Sequence, residues 1–277
     1  MHKKRPKNLL CYLKNIYLLK KLQVMRTHFP KAVILAATLF TICSACKKNI
    51  QSTSPENEAQ ISSDDEVSLS TEGSNLKLTL RPGPNSGQDA NVLYFEGHTD
   101  QMNANFNYQN ELETVAWTDG GYNVIRRSLI RFDSLAKVPT TATVVSAELY
   151  LYGLNTSVEA PQGNSYCPGS PYNGYADNTC YVERIVGGLW YENTVTWNNQ
   201  PLVTEKNRAV VSPSTSQWSY DVAVDVTKLA QPIVQNPQKN YGFRINLQSE
   251  TIYRSMLFYT SEANDKSKRP KLVVIYQ

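Results

Sequence analysis

Histidine is nearly absent from this chain of 277 residues: it has three in all, and only His98 lies beyond residue 46. This scarcity excludes a histidine-cluster metal centre there, and it makes any Ser–His–Asp or Cys–His catalytic group depend on His98 alone. The polar surroundings of His98 are typical of an exposed loop. The sequence also lacks a G-x-S-x-G motif, a phosphate-binding loop and a dinucleotide fingerprint. We therefore predict a protein that is not an enzyme.

A long membrane-spanning run is also missing. The apolar stretch 32–43 has twelve residues, too few to cross a bilayer as a helix but typical of the core of a signal peptide. Arg26 and Lys31 supply the basic flank that such a peptide needs. We predict that residues 1–45 are a signal peptide, with Met25 as an alternative start.

The three residues after this stretch, Ser44-Ala45-Cys46, resemble the lipobox of bacterial lipoproteins, in which cleavage precedes the cysteine and its thiol carries a lipid. The resemblance implies lipidation of Cys46. It also implies an exported protein that is anchored to the outer membrane by the lipid only, at the cell surface as in many Bacteroidota. The alternative is an ordinary signal peptide with an incidental Cys46.

Positive charge is scarce beyond residue 45. All twenty-four acidic residues but only nineteen of the twenty-eight lysines and arginines lie there, so this part has a formal net charge of −5 although the whole chain has +4. A nucleic-acid-binding domain is expected to show a basic balance or a basic stripe. We therefore predict no nucleic-acid partner, and we expect a monomer.

Cysteine is rare too, and beyond Cys46 only Cys167 and Cys180 remain. An exported protein meets oxidising conditions, which favour a disulfide between them. The intervening residues 168–179 are rich in turn-forming Gly, Pro, Asn and Asp. Two unpaired thiols, or a metal pair that lacks its other ligands, are the alternatives.

Residues 46–73 combine the lipidated cysteine with a polar stretch that has few large apolar residues, and we predict a disordered spacer. From residue 74 to 277, short alternating apolar runs are separated by turn residues. This pattern predicts one all-β domain, a jelly-roll β-sandwich of two antiparallel sheets. The predicted strands are 76–80, 91–95, 124–132, 144–152, 181–186, 193–197, 220–226, 241–248, 253–259 and 271–276, and the one predicted helix is 226–235.

Several sequence blocks resemble the DNRLRE-domain proteins, a family related to disaggregatase-type repeats and to alginate-binding carbohydrate-binding modules. They appear in family order and span nearly all of 76–277. The resemblance implies a jelly-roll module that binds polysaccharide. The blocks are Arg81-Pro82-Gly83-Pro84-Asn85, Arg127-Ser128-Leu129-Ile130-Arg131-Phe132-Asp133, Ala147-Glu148-Leu149-Tyr150, Trp190-Tyr191-Glu192-Asn193-Thr194-Val195-Thr196-Trp197, Asn240-Tyr241-Gly242-Phe243 and Arg269-Pro270-Lys271-Leu272.

Arginines on predicted strands are the candidate ligand residues, because a guanidinium group can bind the carboxylates of uronic-acid polysaccharides in a bidentate way. In the strand 124–132, alternation places Arg127, Leu129 and Arg131 on one face and directs Ser128 and Ile130 to the core. The alternative is that the arginines pair with local carboxylates such as Glu148, Glu183 and Asp133. The candidate ligand residues are Arg127, Arg131, Arg184, Arg244, Arg254, Tyr172 and Tyr175.

Aromatic and acidic residues leave further alternatives open. Trp190 is interpreted as a core residue, and the alternative is a platform for sugar stacking. An enzyme would need paired carboxylates, for which the sequence offers Glu148, Glu192 and Glu262 at wide separation. No cofactor is predicted with certainty. A structural Ca²⁺ ion stays open, with its oxygen ligands among Asp89, Asp133, Asp221 and Asp225.

These observations favour a surface-tethered, non-catalytic protein that binds polysaccharide through a module with a preference for acidic glycans. A structural or adhesive surface protein with a protein partner is the first alternative. A polysaccharide-degrading enzyme is the second.

Overall fold

The computed structural model describes residues 64–107 and 109–277. The predicted signal peptide, Cys46 and most of the predicted spacer lie outside the described residues. The described part has 40% strand and 13% helix, and its two antiparallel sheets form a β-sandwich. The predicted all-β fold with two antiparallel sheets is confirmed.

The first sheet has five strands: β1 (Glu66–Glu72), β2 (Asn75–Arg81), β6 (Val144–Leu151), β9 (Val222–Asp225) and β12 (Lys271–Tyr276). They are ordered β1-β2-β12-β6-β9. Alternate residues of β6 face the core, and Ala147, Leu149 and Leu151 are completely buried. The register on β12 shifts beside Tyr276, which pairs with Val144, so Val145 turns outward as the extra residue of a bulge.

The second sheet has seven strands and is strongly curled. Six of them are ordered β11-β4-β5-β10-β7-β8, and β3 pairs with β5 beside them. Because β5 pairs with β3 along one edge and with β4 and then β10 along the other, the sheet wraps around it. The strands are β3 (Gln88–Phe95), β4 (Glu111–Asp119), β5 (Tyr122–Arg131), β7 (Cys180–Ile185), β8 (Val203–Val211), β10 (Phe243–Leu247) and β11 (Arg254–Tyr259).

The main hydrophobic core lies between the two sheets. Leu80 and Leu149 from the first sheet and Phe243 and Phe258 from the second belong to it, and all four are almost fully buried. A short helix α1 (Thr99–Met102) follows β3, and a longer helix α2 (Thr227–Gln235) follows β9. Helix α2 buries its apolar side in this core. Nowhere in the described ranges is a helix long and apolar enough to cross a membrane.

A second, smaller cluster covers the opposite face of the second sheet. Leu129 of β5 and Ile185 of β7 pack there against Trp190 and Val195 from the segment that links β7 to β8. Trp190 is 4% exposed and its Nε1 donates to the carbonyl oxygen of Tyr241 at 2.8 Å, so it is a core residue. The face that Leu129 shares with Arg127 and Arg131 is therefore partly covered by protein.

The sequence prediction misses three strands of the structure and includes one strand that the structure does not have. Strands β4 and β8 were not predicted, and β1 lies inside the stretch 46–73 that was predicted as disordered. Strand β1 forms because Val67 contacts the core while its backbone pairs with β2 along seven residues. The predicted strand 193–197 is instead a series of turns, in which the amides of Thr194 and Val195 donate to the carbonyl of Tyr191.

Candidate functional site

The outer face of the second sheet carries an ion-pair network. The Arg127 guanidinium donates to both carboxylate oxygens of Glu250, at 2.6 and 2.8 Å, and lies over the Trp197 ring with 4.4 Å to its centroid. Arg244 donates to Glu183 at 2.7 Å, and burial lowers the pKa of its guanidinium. The charges of both arginines are thus already compensated by carboxylates of the fold.

Two other candidate arginines are buried braces. Arg131 is 5% exposed and donates to Asp133 at 2.5 Å and to the Trp190 carbonyl at 2.7 Å. Arg254 is 7% exposed and donates to three backbone carbonyls, those of Asp177, Thr251 and Tyr175, at 3.0, 2.9 and 2.7 Å. Each guanidinium therefore joins segments that are distant in sequence, which is a structural role.

Arg184 is different, because it lines an open groove together with a second cation. This groove, called the cationic groove below, has a volume of about 400 Å³. Within the described part of the chain, neither Arg184 nor Lys239 makes an ion pair, and no acidic residue lines the groove. Its lining residues are Arg184, Val186, Pro232, Asn236, Lys239 and Tyr241.

The fold places these groups from two directions. Arg184 lies on β7 opposite Phe243 of β10, so its side chain emerges on the side of the sheet toward helix α2. Helix α2 ends at Gln235, and the turn Pro237–Lys239 follows it. The Tyr241 backbone is held by the hydrogen bond from Trp190. A guanidinium, an ammonium, an amide and a phenol therefore meet in one concavity, a donor set suited to a carboxylate-bearing ligand.

The predicted tyrosines belong to an aromatic cluster. The Tyr172 ring meets the Trp117 ring edge-on, with 4.7 Å between centroids, and stacks on Tyr253 at 6.2 Å. Tyr175 contacts Tyr253 at 4.8 Å and is 50% exposed. Trp117 comes from β4 and Tyr253 precedes β11, so the cluster joins the long loop after β6 to one end of the second sheet.

The two cysteines of that loop are free and buried, which corrects the predicted disulfide. The Cys180 thiol lies 3.3 Å from the Asn178 carbonyl and 3.9 Å from the Met256 sulfur, and burial raises its pKa strongly. The backbone of Cys167 is held by Asn173, whose amide side chain both accepts from its N–H, at 3.2 Å, and donates to its carbonyl, at 2.8 Å. Side-chain hydrogen bonds, rather than a crosslink, order this turn-rich loop.

Three carboxyl groups, those of Asp89, Glu192 and Glu262, gather beside the start of β3. Asp89 is 3% exposed and accepts from the Ser261 amide at 3.0 Å, and burial followed by the charge of Glu262 raises its pKa. Burial and the same neighbour raise the pKa of Glu192 to about 7. Two of the three carboxylates considered for catalysis, Glu192 and Glu262, are therefore electrostatic neighbours. The third, Glu148, lies on the first sheet and accepts from the Tyr150 hydroxyl.

The four aspartates considered for calcium do not form a common site. Asp133 pairs with Arg131, Asp221 with Lys268, and Asp225 caps Thr227, each on a different element. Among residues 64–107 and 109–277, no group of three or more His, Cys, Asp or Glu side chains is arranged to hold a metal ion. The residues present therefore do not fit the calcium hypothesis.

Part of the chain matches a known protein family. Residues 166–276 match the family model "Carbohydrate-binding module family 96", which is less than half of the chain. No curated protein matches the chain. The chain is thus similar to a carbohydrate-binding module over this range, and such modules are typically non-catalytic. The whole cationic groove lies inside the matched range, whereas Arg127 and Arg131 lie outside it.

Lys239 and Tyr241 were missed as candidate groove residues, as were Trp117 and Tyr253 in the aromatic cluster. Tyr241 stands in one of the family-like blocks, which was a signal for it. Lys239 follows the helix end in an ordinary polar turn, and nothing in the sequence separates it from other surface lysines. Trp117 lies on β4, a strand that the sequence pattern did not reveal.

Proposed function

We propose that this chain is a non-catalytic polysaccharide-binding protein whose cationic groove binds the carboxylates of an acidic glycan. Uronate polymers are the proposed class of ligand. The observation that carries the proposal is the pair Arg184 and Lys239, two cations without an ion-pair partner in the described structure, in a groove without acidic lining. The match to a carbohydrate-binding module family over 166–276 supports the general function.

The contrast with the other arginines supports the choice of this groove. Arg127, Arg131 and Arg244 already donate to carboxylates, and Arg254 donates to three carbonyls. A glycan carboxylate would have to displace a partner at each of the first three, at a cost in compensated charge. At the cationic groove it would instead add the missing negative charge.

The exported setting is part of the same proposal. Lipidation of Cys46 would hold the protein on the outer membrane at the cell surface by the lipid only, and the acidic stretch that follows would link the sandwich to it. A monomer suffices, because one chain contains the whole groove. Replacement of Cys46 by Ser should abolish palmitate labelling and leave unprocessed precursor. Normal processing of that variant would contradict the tether.

Affinity electrophoresis of the mature protein tests the binding function. We expect retardation in gels that contain alginate or polygalacturonate, and the retardation should weaken as salt rises, because the Debye length falls from about 10 Å at 0.1 M to about 3 Å at 1 M. Mobility that no acidic polymer changes would overturn the proposal. An assay of new reducing ends and of unsaturated products on the same polymers checks the enzyme alternative, and product formation would favour it.

A protein partner is the second candidate function, and one observation favours it. The segment between β7 and β8 exposes apolar side chains: Leu189, Tyr191 and Leu202 are 53%, 55% and 74% exposed. The amides of Val186 and Gly187 both donate to the Leu202 carbonyl, so Leu202 lies beside Val186 of the groove lining. Binding that survives loss of the groove cations but not loss of Leu202 would support this alternative.

A further inference from the structure

We infer that the chain has a second glycan subsite, for uncharged sugar units, in a groove beside Tyr172. This groove, called the tyrosine groove below, has a volume of about 520 Å³, and residues 167–172 and 215–217 line it together with Gln162 and Asn164. The inference rests on the proposed polysaccharide binding but not on the cationic groove.

The chemistry of the lining identifies the class of ligand. None of the lining residues is a Lys, Arg, His, Asp or Glu. Tyr172, Pro168 and Pro171 offer apolar surface, and the remaining lining is mostly amide and hydroxyl. A pyranose ring has C–H groups on its faces and hydroxyls on its rim, so an aromatic face with neutral polar neighbours suits it. A uronate carboxylate would find no cation among these lining residues.

Tyr172 is held in place before any ligand arrives. Its ring contacts Trp117 and Tyr253, which fix it from the side of the sheet. Tyr253 has a φ of +67°, a left-handed conformation that is costly for a bulky residue. The surrounding contacts hold Tyr253 in this strained backbone geometry, where it supports the Tyr172 ring.

The walls of the tyrosine groove are also fixed. Arg254 binds the carbonyls of Tyr175 and Asp177, which follow the lining segment, and that of Thr251, which precedes Tyr253. On the other wall, the Gln217 side chain donates to the Gln162 carbonyl at 3.1 Å. A wall that is ordered in advance loses little conformational entropy on binding, which favours affinity for a flexible sugar chain.

Three polar side chains of the lining, those of Gln162, Thr215 and Ser216, are available to a ligand. The Asn164 side chain is already bound within the fold, because this residue is 2% exposed, donates to the Ser216 carbonyl at 3.1 Å and accepts from the Leu257 amide at 2.9 Å. By contrast, the side chains of Gln162, Thr215 and Ser216 have no hydrogen bond to any part of the described structure. An amide and a hydroxyl next to an aromatic ring can donate to and accept from sugar hydroxyls.

Calorimetric titration of the mature protein with three neutral polymers tests the inference: galactomannan, arabinoxylan and laminarin. We expect binding to at least one of them, with little dependence on salt. Tyr172→Ala should weaken it at least about tenfold, since the stacking surface is lost. Tyr172→Phe should keep most of the affinity, and Gln162→Ala should weaken it about threefold. Tyr122→Ala is the matched control, because Tyr122 is 48% exposed and lies outside the groove.

The outcomes separate this inference from the proposed function. Binding of acidic polymers but of none of the three neutral ones would overturn the tyrosine groove and leave the cationic groove standing. Neutral binding that a folded Tyr172→Ala variant retains would overturn it as well. If Tyr172→Ala unfolds, Gln162→Ala decides, and unchanged affinity in that variant contradicts the inference. Failure of acidic and neutral polymers alike would overturn both proposals.

Discussion

Arg184 and Arg244 lie on neighbouring strands, β7 and β10, but on opposite faces of the second sheet. Arg244 stands opposite Glu183 in the register and binds its carboxylate at 2.7 Å. Arg184 stands opposite Phe243 and lines the cationic groove together with Lys239, without a carboxylate in the lining. The comparison teaches that an arginine on a strand is a candidate for ligand binding only where the fold has left its charge uncompensated.

The largest expected effect is on stability, at the buried brace Arg131. Arg131→Gln should lower the free energy of unfolding by about 2–4 kcal/mol, because it removes the ion pair with Asp133 and the bond to the Trp190 carbonyl from a covered site. Arg184→Gln should change it by about 0.5 kcal/mol at most. Urea denaturation of both variants measures the difference. Equal destabilisation by the two would refute the division into braces and groove.

The next effect concerns Glu192, a half-buried carboxyl group whose charged neighbour is another acid and not a cation. The pKa of Glu192 is raised to about 7 from 4.5, so the folded state favours the protonated form. The stability that this proton contributes is present at low pH and is lost as pH rises through about 7. Glu192→Gln should therefore flatten part of the fall in unfolding temperature between pH 5 and 8.

The flattening is partial because other groups titrate in the same direction. Burial also raises the pKa of Glu113 to about 7 and that of Asp89 above its usual range. Glu205→Gln is the control, since Glu205 is an exposed residue on β8. A pH profile in Glu192→Gln that coincides with the wild type would show that Glu192 does not titrate in this window.

The smallest expected effect concerns the loop that carries Tyr172. Cys167→Ser should change the free energy of unfolding by about 1 kcal/mol or less, because hydrogen bonds with Asn173 order the loop. Non-reducing peptide mapping of the exported protein should find both Cys167 and Cys180 as free thiols. A linked pair would restore the disulfide that the sequence predicts.

Much of the fold could be predicted from alternation in the sequence. The predicted strands 76–80, 91–95, 124–132, 144–152, 181–186, 220–226, 241–248, 253–259 and 271–276 each correspond to a strand of the structure. Strand β4 was hidden because both of its faces are covered: Leu112 and Glu113 are each 1% exposed, and Glu113 is compensated by Arg126 at 2.6 Å. Strand β8 is a polar edge strand with Asn207 at a φ of +63°, so its pattern is that of a loop.

The candidate site could be predicted only in part, for a physical reason. Alternation correctly places Ile130 in the core and Leu129 on the other face, but it cannot tell that Trp190 and Val195 cover that face. For the same reason Arg131 looks exposed in the sequence and is buried in the fold. Arg184 was one of five candidate arginines. Only the tertiary structure distinguishes it from the others, because no carboxylate of the described residues forms an ion pair with it.

The most direct test of the central claim is calorimetric titration with oligogalacturonate of two double variants that lose the same charge. Arg184→Gln with Lys239→Gln removes both positive charges from the cationic groove, whereas Lys137→Gln with Lys228→Gln removes two exposed positive charges elsewhere. We predict that the first variant loses at least about tenfold in affinity, with an unchanged unfolding temperature, and that the second stays within about twofold of the wild type. Equal losses in both would reduce binding to net charge, and undiminished binding by the first would contradict the cationic groove as the site.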